Sequence, residues 1–357
     1  MTSRTMLVLA AGVAAIAGPA AASATMAYVS MPAKFTSPSY VMVANDDGSG
    51  ATRIAKGNYV SISPNGARLA YTSGNNPVSK VYDIATGATA TLKGTCQYLL
   101  TWSPDSTMIA CTTQSAKRNG DVTGNGLGIA QIPASLDGVT TIPVNDSISA
   151  PGNAVGMGTA FSPDSTQIAF SLMRYGSRAP AGTLYVAPVT DATSRTAVLA
   201  RGSSPVWSTF GIAAMRSTNV TIMLGRSRTR MVRSQIWTIS PDLSSARQLT
   251  HYKARGLMSG PGPAAWSPLG NLIVGGIGGE DVSDLATFAV PGGATRNLLG
   301  GTIVNAAAVS ADGQRLLFET GLDGGPYAIK TTRLNGKGTR TLVKRASNVS
   351  VTPGWNG

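Results

Sequence analysis

Apolar and polar residues alternate along this chain in short runs that keep a fixed distance from a recurring turn phrase. A large apolar residue precedes Ser-Pro-Asx-Gly or a variant of it, and apolar residues return six and eight positions after the Ser. The phrase reads Ile62-Ser63-Pro64-Asn65-Gly66, Trp102-Ser103-Pro104-Asp105-Ser106 and Phe161-Ser162-Pro163-Asp164-Ser165. It returns as Trp266-Ser267-Pro268-Leu269-Gly270 and Val309-Ser310-Ala311-Asp312-Gly313, with a degenerate copy at Trp207-Ser208-Thr209-Phe210-Gly211. The later apolar pairs are Leu69 and Tyr71, Ile109 and Cys111, Ile168 and Phe170, and Leu316 and Phe318. A period of two puts each pair on one face of a strand. Ala70, Ala110, Ala169 and Leu317 fall between them, on the opposite face. The phrase predicts a hairpin, because Ser bonds the local backbone, Pro presets φ and Asx-Gly completes a tight turn.

A second hairpin follows each first one. Strands are expected around Tyr40–Val43, Lys80–Asp83, Thr183–Val186, Gln235–Thr238 and Pro326–Ile329. Outer strands of the form Thr-x-x-Leu are expected at Thr52–Ala55, Thr89–Leu92, Thr140–Pro143, Arg195–Leu199, Ala246–Thr250, Thr295–Leu298 and Thr339–Leu342. Repeats spaced by roughly 40–50 residues indicate propellers, solenoids or arrays. Four antiparallel strands per repeat make one propeller blade.

Trp-Ser-Pro-Asp followed by Ile-Ala-(Phe/Cys), with Arg247-Gln248-Leu249-Thr250-His251 closing a unit, resembles the WD40-like repeat of TolB-type β-propellers. The resemblance covers most of residues 32–357 and implies an all-β, single-domain propeller. Seven outer hairpins against six complete inner ones suggest that the chain ends build one blade together. Asn348–Pro353 mimics the innermost strand Asn58–Pro64, and Ala33–Ser37 mimics the second strand Leu69–Ser73. Pairing the two closes a ring of seven blades and removes exposed sheet edges. Six blades, the usual number in the TolB propeller, is the alternative.

The chain termini change the picture by adding a compartment. Met1–Thr5 carries Arg4, Met6–Gly18 is apolar, and Ala22-Ser23-Ala24 offers an A-x-A cleavage site before Thr25. The expected organisation is a cleaved signal peptide over 1–24 and a propeller domain over 25–357. The apolar run falls short of the ~20 residues that span a bilayer. Export places the protein in the periplasm, at the wall or outside the cell, with no transmembrane segment after cleavage.

In an oxidising compartment Cys96 and Cys111 become a candidate disulfide. Pairing Trp102 with Thr107 would put the two cysteines diagonally on one face. A bridge then requires a local shift or bulge, since disulfides need Cα atoms within about 7 Å. Two buried thiols are the other reading.

The net charge is +13, of which Arg4 supplies one. Such a charge favours anionic partners such as wall polymers, lipid headgroups or acidic proteins, and export removes nucleic acid from the expected partners. Arg226, Arg228, Arg230 and Arg233 form the densest basic run, in an insertion between two strands of the unit built on Trp207. If extended, Arg226, Arg228 and Arg230 share one face, as an anion-facing patch or as a solvated loop.

Candidate chemistry is thin. His251 is the single histidine, and one His cannot make a multi-His metal site. Asp105, Asp164 and Asp312 recur, but each holds a turn position where Asp serves the backbone. A glycosidase needs two carboxylates about 5–10 Å apart, and Asp121, Glu280, Asp281, Asp284 and Glu319 suggest no such pair. Asp121-Val122-Thr123-Gly124-Asn125-Gly126 resembles half of a calcium loop, but its twelfth position is Ile132 where a bidentate Glu is needed. No cofactor, metal or catalytic residue is assigned. The expected function is a monomeric, non-catalytic binding or scaffold propeller whose partner is an envelope or secreted protein or an anionic wall polymer. The alternative is a carbohydrate-active enzyme with carboxylates at the channel mouth. Acids converging on that mouth would favour the enzyme, and a charge-neutral mouth the binding module.

Overall fold

The computed structural model describes residues 25–356 except 33–37, 74–77, 95, 117–121, 149–151, 175–181, 225–226, 254–259, 279–282, 301–306 and 322–326. Every regular element among the described residues is a β-strand. Among the described residues pairing gives four sheets of four strands, one of five and one of eight. In the last, two units are joined by a parallel bridge between Asn125 and Ala154. Taken by repeat, the strands make seven antiparallel units of four, with Thr141–Pro143 as an added edge strand. The first joins both chain ends, in the order Ala346–Val351, Met26–Ser30, Tyr40–Ala44, Thr52–Lys56. The innermost strands of the next six are Val60–Ile62, Cys96–Trp102, Asn153–Phe161, Gly202–Ser208, Gly260–Trp266 and Ala307–Val309.

Successive innermost strands touch one another around a ring, and Ala346–Val351 contacts both the second and the last unit. Packing between units follows the small/large alternation. Leu69 and Tyr71 are buried against the first unit with Ala27, Val29 and Val41. Ala70, on the opposite face, is buried against the third unit with Trp102 and Ile109. Equivalent clusters lie between all other consecutive units, the last joining Leu317 and Ile329 to Met26 and Tyr28. A small residue on one face lets the next sheet approach closely enough for the large residues of its facing strands to fill the gap.

The turn phrase is built as its composition requires. Ser103 Oγ donates to Asp105 Oδ1 at 2.5 Å and accepts from the Met108 amide at 2.9 Å. Asp105 Oδ1 in turn accepts from the Thr107 amide at 3.0 Å. The fourth turn position has positive φ, and Gly66, Gly270 and Gly313 fill it in three units while Ser106 and Ser165 fill it in two. Each of these serines gives something in return for that conformation. The Ser106 hydroxyl accepts from the Asn65 amide at 3.1 Å and the Ser165 hydroxyl from the Asp105 amide at 3.2 Å, linking neighbouring units. The tryptophans do the same one layer in. Trp102 Nε1 donates to the Ser61 carbonyl, Trp266 Nε1 to Val206 and Trp355 Nε1 to Asp46, at 3.0–3.1 Å.

Three sequence expectations need correction. The N-terminal strand that pairs with the C-terminal one is Met26–Ser30, while residues 33–37 lie outside the described residues. Met26-Ala27-Tyr28-Val29-Ser30 matches Leu69-Ala70-Tyr71-Thr72-Ser73 better, and all of Met26, Ala27, Tyr28 and Val29 are buried between two paired strands. Thr141–Pro143 does not edge its own unit. It adds in parallel to Thr89–Lys93 of the unit before, where Ile142 is buried beside Leu92, and Asn145–Ile148 takes the expected place. Finally, Trp102 pairs with Ile109 rather than Thr107, because the turn spans Ser103 to Met108 with a bond at each end.

Candidate functional site

The ends of the innermost strands bring the turn phrases together at one mouth of the ring. There residues before and within the phrases of the third to seventh units line a cavity of about 720 Å³. Trp102, Phe161, Trp207, Phe210 and Trp266 give it aromatic walls, and Pro104, Pro163, Pro268 and Pro353 form its rim. Among the described residues no ionisable side chain lines it. Phe210 is there because the degenerate phrase makes a tighter turn, pairing Ser208 with Gly211 and leaving Thr209-Phe210 at the tip. Its ring lies 6.3 Å from Trp266 and over the bare Cα of Gly270, where a Cβ would meet the ring at 2.4 Å. Phe210 is nonetheless 45% exposed, and Leu269 in the adjoining turn is 73% exposed.

The turn acids stand around this mouth as acceptors. The Ser162 hydroxyl, followed by the Thr166 amide and hydroxyl, holds the Asp164 carboxyl below its ordinary range. The Ser310 hydroxyl and the Gln314 amide do so for Asp312. Burial pushes Asp105 upward, but bonds from Ser103, Thr107 and Ser165 together outweigh it and leave it lowered. These are ionised groups committed to the backbone, unsuited to delivering a proton near neutral pH. Glu319 is the opposite case. Burial raises its carboxyl, and it accepts from the Val349 amide at 2.7 Å and from the Asn348 amide, holding the irregular stretch of the closing strand.

The arginine run lies away from the mouth, in a long hairpin of Gly211–Leu224 against Ser227–Ile239. Arg228 and Arg230 are exposed and share a face, opposite Met223 and Thr221. Arg226 lies outside the described residues. Arg233 is half-buried, pairs with Thr218 and falls on the other face. Close by on that face Arg216 stacks over the Trp237 ring at 4.4 Å. The expected basic surface therefore divides between the two sides of one hairpin.

Cys96 and Cys111 are joined, with Cα atoms 5.6 Å apart. Register shifts between Cys96 and Tyr98 and between Tyr98 and Thr101 bring the strands to this spacing. His251 is exposed, with Nδ1 3.3 Å from Gln248 Nε2. Asp121, Glu280 and Asp281 lie outside the described residues. Among the described residues no group of three or more His, Cys, Asp or Glu side chains is placed to hold a metal ion, and no helix is long and apolar enough to cross a membrane.

Sequence reasoning named none of the mouth residues as a site, although it quoted all of the phrases that build it. The signal was the apolar residue before each Ser, read only as packing. It also missed the basic lining of a second, smaller cleft between the sixth and seventh units, where Arg296, Arg315 and Arg333 lie. These arginines are scattered in sequence and form no run.

A ring of antiparallel four-stranded units whose inner strands end in Ser-Pro-Asx turns defines a TolB-like β-propeller fold. Solved structures bear this out. TolB from Acinetobacter baumannii aligns over 92% of this chain and 66% of its own, at 15% identity and a TM-score of 0.52. The β-propeller domain of the Trilobed protease from Pyrococcus furiosus aligns over 90% of this chain and 93% of its own, at 12% identity and TM-score 0.61. That domain has an open velcro topology, whereas here Met26–Ser30 and Ala346–Val351 pair. Acylaminoacyl peptidase from Pyrococcus horikoshii aligns over 90% of this chain and 51% of its own, at 13% identity and TM-score 0.61. The chain thus spans slightly less than two thirds of that TolB and about half of that peptidase. No family model matches the sequence, and no curated protein matches it.

Proposed function

We propose that this chain is an exported binding or scaffold propeller that docks a protein partner at the apolar mouth. The observation that carries the reading is the mouth itself: about 720 Å³, walled by aromatic rings, rimmed by prolines and free of ionisable side chains among the described residues. A rigid apolar cup of this size takes one or two bulky side chains from a partner segment, with desolvation supplying the affinity. The turn hydrogen bonds and the Trp102 and Trp266 links hold the cup in shape before binding, which reduces the entropy cost of docking.

The enzyme alternative needs two carboxylates facing each other across the mouth. The mouth offers none among the described residues, which supports the binding reading. Arg228 and Arg230 favour a second mode, attachment to anionic wall polymer through one exposed face of the hairpin, sensitive to salt because exposed charges are screened. The export step rests on the Met1–Ala24 pattern.

The test is a pull-down from envelope fractions eluted with a salt gradient, using wild type, a Phe210→Asp/Leu269→Asp mouth variant and an Arg228→Gln/Arg230→Gln hairpin variant. The expected result is a discrete protein held at high salt by wild type and by the hairpin variant, and lost from the mouth variant. Recovery of polymer alone, released as salt rises and unchanged by the mouth substitutions, would sink the docking role.

A further inference from the structure

Strand register in the second and seventh units exposes a reversal of charge at one position. In the second unit Arg68, first on its strand, sits directly opposite Asp83. Its guanidinium lies 3.6 Å from that carboxylate and donates to the Pro133 and Ala134 carbonyls at 2.7 and 2.5 Å. The seventh unit places Arg315 in the same position, and its cross-strand partner is Arg333. In the third, fourth and sixth units the position holds Met108 with Gln131, Gln167 with Pro188, and Leu272 with Ala289, all uncharged. Like charges directly opposite one another destabilise a sheet. A break in an otherwise consistent local pattern is where a functional site is expected.

A third arginine joins them from the neighbouring unit. Arg296 donates from Nη2 to the Asn335 carbonyl at 3.3 Å, bridging the sixth and seventh units. Arg296, Arg315, Arg333, Gln314 and Asn335 line a cleft of about 430 Å³, and among the described residues no acid contributes to its lining. The Arg315 charge acts on Asp312 in the adjoining turn. Its Oδ1 is already taken up by the Ser310 hydroxyl at 2.5 Å and the Gln314 amide at 2.9 Å.

We infer that this cleft between the sixth and seventh units is a binding site for a phosphate group, which supplies to Arg296, Arg315 and Arg333 the countercharge that Asp83 supplies to Arg68 in the second unit. Guanidinium forks match tetrahedral oxyanions and bond them in pairs. Three of them with two side-chain amides suit a dianion or a phosphodiester repeat better than a lone carboxylate. The site is separate from the apolar mouth and from the Arg228 and Arg230 hairpin, so it stands or falls independently of both.

The test is calorimetric titration and thermal unfolding of the purified protein with inorganic phosphate, against chloride at matched ionic strength. Poly(glycerol phosphate) and phosphatidylglycerol vesicles serve as further arms. Wild type is expected to bind phosphate saturably and to melt higher in it than in chloride. Arg333→Asp recreates the Arg68–Asp83 arrangement, so it should fold normally and melt no lower than wild type in chloride. Its affinity for phosphate should fall about 10- to 100-fold, the range for losing a hydrogen bond between charged groups. Arg296→Gln provides a second variant should Arg333→Asp not fold, and the polymer and vesicle arms are run with Arg228→Gln/Arg230→Gln so that the hairpin does not contribute. Tighter binding to the polymer or to vesicles identifies the carrier of the phosphate, and binding of free phosphate alone identifies a small-anion site. Equal effects of phosphate and chloride in every arm would overturn the inference, as would phosphate binding that survives both Arg333→Asp and Arg296→Gln.

Discussion

Breaking the Cys96–Cys111 bridge should destabilise the propeller by a calculable amount. The two residues are 15 apart in sequence, and freeing a loop of that length in the unfolded chain is worth about 3 kcal/mol at 25 °C. Both side chains are buried in the cluster that contains Trp102 and Ile109. Reduction leaves both sulfurs in place, so it should cost only the loop term. Cys96→Ala with Cys111→Ala also removes two buried sulfurs, adding roughly 1 kcal/mol for each. Against the 5–15 kcal/mol typical of a folded protein, either loss is large. The ladder has little reserve here, because its register shifts twice within Cys96–Thr101. Urea unfolding followed by tryptophan fluorescence reads this directly, since Trp102 sits in the same cluster. Three samples are compared: oxidised wild type, reduced wild type and the double alanine variant. The expected order of stability is oxidised, reduced, double alanine, with the first gap near 3 kcal/mol. Oxidised and reduced curves that coincide within about 1 kcal/mol would refute the reasoning and assign the local stability to packing alone.

Other perturbations separate the remaining contributions. Trp102→Phe keeps a ring in the wall but loses the bond to the Ser61 carbonyl, so thermal unfolding should show a loss of about 1 kcal/mol with docking at the mouth retained; an unchanged melting curve would count against the inter-unit link. Asp105, Asp164 and Asp312 are lowered by their turns, so their stabilisation is present above the unfolded carboxylate pKa and disappears as pH falls through the folded values. Asp164→Asn should therefore flatten the acid limb of a stability–pH curve, and an acid limb as steep as that of wild type would contradict the assignment. Glu319 runs the other way. Its raised carboxyl contributes stability that is complete below the ordinary value of 4.5 and is lost as pH rises through the folded one. Glu319→Gln should gain on wild type between acid and neutral pH, and a difference that does not vary with pH would show that the buried carboxyl does not titrate there.

Much of the architecture was legible because one local solution is written many times. Ser-Pro-Asx-Gly located the hairpins, the offsets of six and eight located the buried faces, and the chain ends were recognisable as halves of a unit. What failed was local. Ala33–Ser37 shares the aromatic-Thr-Ser ending of Leu69–Ser73, yet the strand that pairs with Ala346–Val351 is Met26–Ser30, where Val29 stands in place of Thr72. Thr140–Pro143 satisfies the outer-strand pattern and still pairs with the previous unit, since edge pairing depends on which apolar gap Ile142 can reach. The arginine run was legible as a run, but its division between two hairpin faces depends on register. Neither the mouth nor the arginine cleft was legible as a site, because each is assembled from single residues of several units.

A repeated fold carries its own reference, so a costly departure in one unit can be judged against the other copies. Phe210 departs by placing an exposed ring at the turn position that holds Asn65, Asp105, Asp164 and Asp312 in four other units, and its ring finds partial cover on Gly270 and Trp266. Glu319 departs by putting a carboxylate where Thr72, Thr112 and Ser171 stand, and two amides of the closing strand compensate it. Arg315 opposite Arg333 departs by placing like charges where the second unit places a pair of opposite sign. Among the described residues no carboxylate lines the cleft beside it, and Asp312, on which the Arg315 charge acts, is held through Oδ1 by its own turn. A compensated departure is explained within the fold. The arginine pair has no such cover among the described lining residues, and the anion inferred at the cleft supplies it.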